Sequence, residues 1–316
     1  MSVISGWRRP LFPVLIAVYA ACSDDSSGAP GVYVSNYDGD AISVFAADAS
    51  GDATPIRMIV GSSTRLGGPG GIAVDGSGRL YVANYDSMSV TVFAPGADGN
   101  VAPTRRIAGS NTRLSGPWGL ALDATGRIYV GEYDLDVIYV FAAGADGNVA
   151  PVDSIAGVNP GINNPWALLF DGSGRLYLSA DRPGLDTVSV FAAGASGNVA
   201  PDDTLAGGTR LQDAWGMARD ATGRLFISAA SPFAIVVFAA GATGAAAPSD
   251  SIAGSNTLID QIWGLAFDPG GRLFATNYAT DSVLVFAPGA AGNVAPLFAI
   301  GGPNTGLDGP AFVVVR

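Results

Sequence analysis

A unit that recurs six times, four short apolar segments within each unit, and a scarcity of the charged residues that favour helices together predict an all-β fold, a six-bladed β-propeller. The unit is marked by a Val-Phe-Ala triplet. Its phenylalanines lie 47–50 residues apart, at Phe45, Phe93, Phe141, Phe191, Phe238 and Phe286. A period in the forties with four strands per unit is typical of a propeller blade, so six units predict six four-stranded antiparallel blades.

One unit, taken from Gly70 onward, shows the four predicted strands in order. The segments are GIAVD, RLYVAN, SVTVFA and TRRIAG, which are rich in Val, Ile, Leu, Tyr and Phe and are separated by turn-forming residues. A D-x-x-G-R turn joins the first strand to the second and opens with Asp75, Asp123, Asp171, Asp220 and Asp268. We interpret these aspartates as turn residues that accept bonds from backbone N–H groups, and expect the following arginine to pair with nearby acids.

The two ends of the repeat region complement each other. Residues 31–46 match the second and third strands of a unit, whereas residues 309–316 match the first strand. We therefore expect the C-terminal segment to supply the innermost strand of the first blade, which would close the ring and protect strand edges. Residues 31–316 are then a single propeller.

The repeat resembles that of a known group. Its pattern, G-[IL]-A-[VLF]-D-x-x-G-x-[IL]-[YF]-V-A-N followed by a strand ending in VFA, is similar to the NHL-repeat six-bladed propellers, and more broadly to the gluconolactonase-like and TolB-like families. The resemblance covers nearly all of residues 31–316. It implies the fold but not one function, because these families include scaffolds, receptors, lactonases and lyases.

The amino terminus has the features of an export signal. Arg8 and Arg9 precede an apolar stretch from Leu11 to Ala21, which is too short to span a membrane. The chain's single cysteine, Cys22, follows at once and resembles the lipidated cysteine of bacterial lipoproteins, although Tyr19 replaces the usual aliphatic residue.

These features predict a signal peptide over residues 1–21 and a lipidated Cys22 followed by a short tether through residue 30. Ordinary cleavage that releases a soluble secreted protein is the alternative. Both interpretations export the chain, and we expect a bacterial membrane lipoprotein that faces the periplasm or the exterior, or else a secreted protein.

Composition excludes several kinds of chemistry. The 316 residues carry a formal net charge of −11, with no histidine, no lysine and one glutamate. The absence of histidine removes the Ser-His-Asp triad, the Cys-His pair and every metal site built on imidazole. An acidic chain without lysine also lacks a positive surface for phosphates, so nucleic acid is not an expected partner.

Four of the five tryptophans stand at one repeat position, where the innermost strand begins. This column contains Gly70, Trp118, Trp166, Trp215, Trp263 and Ala311. The position lies near the mouth of the central channel, so the indoles could form an arc that stacks a sugar or another flat ligand. Alternatively, Trp118 is in phase with Leu120 and Leu122, which would seat the indoles between blades. The sequence leaves both placements open.

A second column ends the second strand of each blade. It contains Asn36, Asn84, Glu132, Ala180, Ala229 and Asn277, and includes the only glutamate of the chain. A recess floored by Asn36, Asn84 and Glu132 beside Trp118 is the sharpest site hypothesis. The alternative is that these side chains only bond a neighbouring loop.

The expected function is that of a non-catalytic binding or scaffolding module at the bacterial cell envelope, with an envelope protein or a glycan as partner and no required cofactor. The first alternative is a metal-dependent hydrolase of lactone type, which the gluconolactonase resemblance implies. Glu132, Asn84 and Asn277 would then hold a divalent cation such as Ca²⁺. The acidic residues that such an enzyme needs for catalysis are missing, however, because Ala180 and Ala229 occupy the positions where those enzymes carry acids. The second alternative is carbohydrate binding through the tryptophans.

Overall fold

The computed structural model describes residues 31–180, 187–206, 211, 213–230 and 233–316. The predicted signal peptide, Cys22 and the tether lie outside the described residues. Within the described ranges the chain consists of 24 strands and two short 3-10 segments, Ser110–Thr112 and Tyr278–Thr280. None of the helices in this part of the chain is long and apolar enough to cross a membrane.

The strands form six sheets of four, which are the predicted blades. The innermost strands, in blade order, are β24 (Pro310–Val315), β4 (Pro69–Val74), β8 (Pro117–Leu122), β12 (Pro165–Phe170), β16 (Ala214–Arg219) and β20 (Ile262–Phe267). The second strands are β1 (Gly31–Asn36), β5 (Leu80–Asn84), β9 (Ile128–Glu132), β13 (Leu176–Ala180), β17 (Leu225–Ala230) and β21 (Leu273–Asn277).

The third strands are β2 (Ala41–Ala46), β6 (Ser89–Phe93), β10 (Val137–Phe141), β14 (Val188–Phe191), β18 (Phe233–Phe238) and β22 (Ser282–Phe286). The outermost strands are β3 (Arg57–Val60), β7 (Arg105–Ile107), β11 (Asp153–Ile155), β15 (Asp203–Leu205), β19 (Asp250–Ile252) and β23 (Phe298–Gly301). Every pair of neighbouring strands within a blade is antiparallel.

The ring closes through the C-terminal strand, as predicted. The first sheet has the order β24-β1-β2-β3, with Val34 opposite Val313. Strand β24 also contacts both β20 and β4, so the innermost strands contact one another all the way round the channel. The last strand of the chain therefore joins the first blade to the sixth.

The marker phenylalanines are the common core of the blades. All six, Phe45, Phe93, Phe141, Phe191, Phe238 and Phe286, are completely buried. Burial of such a side chain contributes about 1.5–3 kcal/mol, so the triplet recurs because every blade needs this core. The turn aspartates act as predicted: Asp75 accepts bonds from the backbone N–H groups of Ser77 and Arg79, and its carboxylate pairs with the Arg79 guanidinium at 2.7 Å.

The outer edge of each blade is covered by its neighbour. The backbone N–H of Gly99 donates to the Met58 carbonyl on β3 at 2.8 Å, and the carboxylate of Asp98 accepts from the Met58 N–H. The Asn100 side chain accepts from the N–H of Ser63 beyond the end of that strand. The DGN turn of one blade thus satisfies the edge strand of the preceding blade, which removes a surface that could pair with other chains.

The innermost strands approach one another so closely that a side chain would not fit at some positions. A Cβ atom at Gly119 would lie 2.5 Å from the Trp166 carbonyl oxygen, and one at Gly264 would lie 2.7 Å from the Ala311 carbonyl oxygen. The glycine that follows Trp118, Trp215 and Trp263 is therefore required by the contact between blades, whereas Ala167 follows Trp166. The tryptophans that precede these glycines therefore lie at the wall of a narrow channel.

Candidate functional site: an aromatic cup over the channel

The two repeat columns meet at one end of the propeller, which we call the upper face. In the first blade Asn36 pairs with both Pro310 and Ala41, so the start of the innermost strand, the end of the second strand and the start of the third strand lie at the same end. The same register holds in the other blades, for example where Pro117 and Val137 both pair with Glu132. The tryptophan column and the Asn/Glu column therefore open on one face, as predicted.

The four indoles pack on one another across the channel. Trp118 and Trp166 are buried, with 5% and 6% exposure, and Trp215 and Trp263 are partly buried. The ring centroids of Trp118 and Trp263, which stand on opposite blades, are 5.8 Å apart, and those of Trp166 and Trp263 are 5.4 Å apart. The indoles thus close the upper end of the channel, in contact with each other rather than as an open arc.

The indole N–H groups are turned away from the surface. Trp166 donates to the backbone carbonyl of Trp263 at 3.4 Å. The N–H groups of Trp118, Trp215 and Trp263 are buried and have no hydrogen-bond partner. What the cluster presents to the upper face is therefore the faces and edges of its rings.

Tyrosines that follow the Asn/Glu column complete the cluster. Tyr37 lies 5.3 Å from Trp118, and Tyr85 lies 5.9 Å from it, both edge-on. Tyr133 meets Trp166 edge-on, and Tyr278 stacks on Trp263 with centroids 3.7 Å apart and planes 10° apart. These tyrosines are half-buried. The sequence shows them as NYD at 36–38 and 84–86 and EYD at 132–134, where the tyrosine stands one residue beyond the Asn/Glu column.

Together these rings surround a cavity of about 190 Å³, which we call the aromatic cup. It is lined by Tyr37, Tyr85, Trp118, Tyr133, Trp166 and Trp263. A cavity lined by large rigid rings with few polar atoms is typical of a ligand-binding site rather than of a packing defect.

Exposed aspartates form the rim of the cup. The Tyr85 hydroxyl donates to the Asp134 carboxylate at 3.0 Å, and the Tyr278 hydroxyl donates to Asp38 at 2.8 Å. Burial, followed by the bond to the aspartate and its negative charge, raises the pKa of Tyr85 and of Tyr278 to about 12. Burial also raises the pKa of Tyr37, with the charge of Asp86 as the next cause. Phenol groups here remain protonated, and the potential over the cup is negative.

The side chains of the Asn/Glu column lie deeper than the cup, and they make hydrogen bonds within their own blades. Asn36 donates to Ser43 and accepts a long bond of 3.4 Å from the Asp308 N–H. Asn277 accepts from the Asp260 N–H and donates to the Leu258 carbonyl. Each therefore holds the loop that leads into the innermost strand of its own blade, and neither lines the cup.

Asn84 and Glu132 each keep one oxygen without a partner. The Asn84 amide donates to the Val82 carbonyl and to Thr91, while its Oδ1 is buried and unbonded. Glu132 accepts from the N–H groups of Ser115 and Gly116 through Oε2, at 2.8 and 2.9 Å, and its Oε1 is buried and unbonded. Burial raises the pKa of Glu132, which the two backbone bonds partly offset.

This donor set does not fit the metal centre of a lactonase. Glu132 and Asn84 are fully buried and offer one oxygen each, whereas both polar atoms of the Asn277 side chain are already bonded. Within the described ranges no three His, Cys, Asp or Glu side chains come together as a metal-binding group. A hard cation such as Ca²⁺ takes six to eight oxygens, so we derive no metal chemistry from these residues.

The fold and the site define a six-bladed β-propeller whose channel is closed at its upper end by aromatic rings beneath an open cup. Residues 66–93 match the NHL repeat family model, which confirms the resemblance predicted from the repeat pattern. A comparison of the sequence with curated proteins finds no match.

Solved propellers share the fold at low sequence identity. A nidogen/laminin complex structure aligns over 90% of this chain and 98% of its own, with a TM-score of 0.66 and 15% identity. A putative 6-phosphogluconolactonase from Bacteroides uniformis aligns over 90% and 84%, with a TM-score of 0.60 and 18% identity. A catalytically inactive virginiamycin B lyase from Staphylococcus aureus, solved with quinupristin, aligns over 87% and 86%, with a TM-score of 0.58 and 10% identity. At these identities the similarity shows the fold alone.

Proposed function

We propose that this protein is an exported, lipid-anchored binding module of the bacterial cell envelope, without catalytic activity, which takes its ligand in the aromatic cup. The observation that carries the proposal is the cup itself, a cavity of about 190 Å³ bounded by six aromatic rings on the loop-bearing face of a rigid ring. Loops and strand ends on a stable scaffold are where propellers and other symmetric folds carry binding sites.

The geometry around Glu132 supports a structural role for this side chain. A general base or nucleophile must reach a substrate, whereas the Glu132 carboxylate is fully buried and bonds the N–H groups of the loop before its own innermost strand. The neighbouring nidogen/laminin structure is a protein complex, which is consistent with a binding role for propellers of this kind.

A metal-dependent lactonase centred on Glu132 is the competing function. The unbonded Oε1 of Glu132 and Oδ1 of Asn84 are the observation that favours it. Calorimetric titration of chelator-stripped protein with Ca²⁺, Mg²⁺, Mn²⁺ and Zn²⁺ separates the two functions. We expect that none of the four metal ions binds in a way that depends on Glu132, so the titrations of the wild type and of Glu132→Gln should agree. We also expect that the protein does not hydrolyse lactones. Tight binding that this substitution abolishes, together with lactone hydrolysis, would replace the proposal.

The binding role itself is tested with fractionated envelope. The purified protein and its Tyr85→Leu variant are immobilised and exposed separately to the protein, glycan and lipid fractions of bacterial envelope. We expect the wild type to retain at least one component that the variant does not retain. Equal retention by both proteins in every fraction would contradict a ligand site in the cup.

Export and anchoring are tested in a bacterial host. Labelling with a palmitate analogue is expected to mark the wild type and not Cys22→Ser, and the wild type is expected to sediment with membranes. A substituted chain that still carries the label, or a wild type found only in the medium, would support ordinary cleavage and secretion instead.

A further inference from the structure

The ligand class follows from what the aromatic cup can offer to a bound molecule. Its described lining consists of rings only, and the four indole N–H groups are either buried without a partner or bonded to backbone. The hydroxyl protons of Tyr85 and Tyr278 are committed to Asp134 and Asp38. The wall thus exposes π faces, and the rim exposes acceptor oxygens. A sugar needs donors as well as acceptors around its hydroxyls, and the only other donors among these lining residues are the hydroxyls of Tyr37 and Tyr133.

The charge around the cup is strongly negative. The described loops of the upper face carry nine aspartates, Asp38, Asp40, Asp86, Asp134, Asp136, Asp213, Asp260, Asp281 and Asp308. The same loops carry two arginines, Arg65 and Arg113, both exposed. Three of the aspartates are partly used in the fold, because Asp40, Asp136 and Asp281 accept from the N–H groups of neighbouring loops. An anion would meet an unfavourable potential over this face, and a cation a favourable one.

Aromatic faces and negative charge act in the same direction on a cation. A cation over the face of Trp or Tyr is attracted by the ring quadrupole, and the attraction strengthens as the site is shielded from water. The acceptor oxygens stand at the rim, whereas the described lining contains only ring side chains. A primary ammonium would lose hydration bonds in such a cavity, but a quaternary ammonium has no N–H groups to satisfy. Its bulk also suits a cavity of about 190 Å³.

We propose that the aromatic cup binds the quaternary ammonium group of a small molecule or of a lipid headgroup, held by Tyr37, Tyr85, Trp118 and Trp166 with Asp134 and Asp86 at the rim. This inference rests on the proposed function, since it names the ligand class of the same site. Free choline-like compounds and phosphatidylcholine carry the same trimethylammonium group, so the structure defines the chemistry that both sources share.

The direct experiment compares a quaternary ammonium ligand with a neutral ligand of the same shape. Choline and tetramethylammonium are titrated into the protein at constant ionic strength, with tryptophan fluorescence and calorimetry as readouts. 3,3-Dimethylbutan-1-ol, which has the shape of choline without the charge, is the matched control ligand, and N-acetylglucosamine tests the carbohydrate alternative. We expect both ammonium compounds to bind at least about tenfold more tightly than the neutral alcohol. Equal binding of the alcohol, or binding of the sugar alone, would overturn the proposal.

Substitutions then locate the site. Tyr85→Leu removes one ring and is expected to weaken choline binding about three- to tenfold. Asp134→Asn removes one charge but keeps an acceptor for the Tyr85 hydroxyl, and is expected to weaken it about threefold, with a smaller dependence on salt. Asp48→Asn is the matched control, because Asp48 is exposed in the loop after β2 at the opposite end of the propeller. Unchanged affinity in both cup variants, or an equal loss in the control, would overturn the site.

The source of the ammonium group is resolved with vesicles. Binding to phosphatidylcholine vesicles that free choline displaces would assign a lipid headgroup, whereas binding of free choline with no vesicle retention would assign a soluble compound. Failure is also interpretable. If no ammonium compound binds but an envelope fraction is still retained through Tyr85, the ligand class is wrong and the binding role stands. If neither is observed, both proposals fail.

Discussion

A buried hydroxyl links the sixth blade to the strand that closes the ring, and its removal gives the sharpest test of the packing described above. Thr276 lies on β21 of the sixth blade and is fully buried. Its hydroxyl accepts the N–H of Gly264 at 2.7 Å and donates to the carbonyl of Ala311 at 2.8 Å. Ala311 belongs to β24, so this one oxygen connects the sixth blade to the strand that completes the first blade.

Thr276→Val removes the hydroxyl and keeps the shape of the side chain. The change leaves a buried N–H at Gly264 and a buried carbonyl at Ala311 without these partners. A buried polar group that loses its partner costs about 1–3 kcal/mol, so we expect the free energy of unfolding to fall by about 2–4 kcal/mol. Thr276→Ser, which keeps the hydroxyl and deletes one methyl group, is the control and is expected to cost about 1 kcal/mol.

The measurement is equilibrium unfolding in urea, followed by tryptophan fluorescence and by far-UV circular dichroism. The two variants and the wild type are compared at one pH and one protein concentration, with attention to the midpoint and to the slope of the transition. A Thr276→Val variant that is no less stable than Thr276→Ser would refute the role assigned to the hydroxyl, because only the valine variant loses the two bonds.

Three further predictions concern charge and exposure. Burial raises the pKa of Asp171, but the bonds to Ser173 and Arg175 outweigh it and lower the pKa to about 2. Asp171→Asn should therefore cost about 2 kcal/mol at pH 7 and less than about 0.5 kcal/mol at pH 2, as pH-dependent unfolding will report. Glu132 has a raised pKa, so its effect on the pH dependence of stability is the opposite one. As the pH rises above 4.5, the wild type should lose stability relative to Glu132→Gln. Parallel pH profiles of the two proteins would contradict this. In the processed protein, which lacks residues 1–21 and therefore Trp7, the neutral quencher acrylamide should quench the folded state severalfold less than the unfolded state, since the channel indoles pack on one another; equal quenching would place them in solvent.

Most of the architecture could be predicted from the sequence because it repeats. The recurring phenylalanine, the D-x-x-G-R turn and the strand left over at each end of the chain are all local signals with one structural solution. The DGN turns at 98–100 and 146–148 were visible as well, but their contact with the preceding blade was not, because it joins segments about 40 residues apart, such as Met58 and Asp98.

The direction of the indoles could not be predicted from alternation along the strand. The phase of Trp118 with Leu120 and Leu122 predicts one common face only if the strand is regular. In the structure the register between β8 and β9 shifts between Pro117 and Leu120, and the other five innermost strands shift at the same place. A bulge of this kind redirects the side chains next to it. A bulge has no reliable signal in the sequence. The sequence could therefore place the tryptophans in one repeat column, but it could not predict the direction of their side chains.

The aromatic cup exists because the six repeats are unequal at this column. A Cβ atom at Gly70 would lie 3.1 Å from the ring of Trp118, so the missing side chain of the second blade provides the space that this indole occupies. In the first blade the same column holds Ala311, whose side chain is much smaller than an indole. Tyr37 and Tyr85, the tyrosines of these same two blades, then stand over the rings and form one wall of the cavity. Six equal indoles would compete for one narrow channel, whereas four indoles and two small residues close its upper end and leave an opening above. The unequal repeats on which the predicted recess beside Glu132 rests therefore shape a cavity that is lined by rings, and its tyrosines lie one residue beyond the Asn/Glu column.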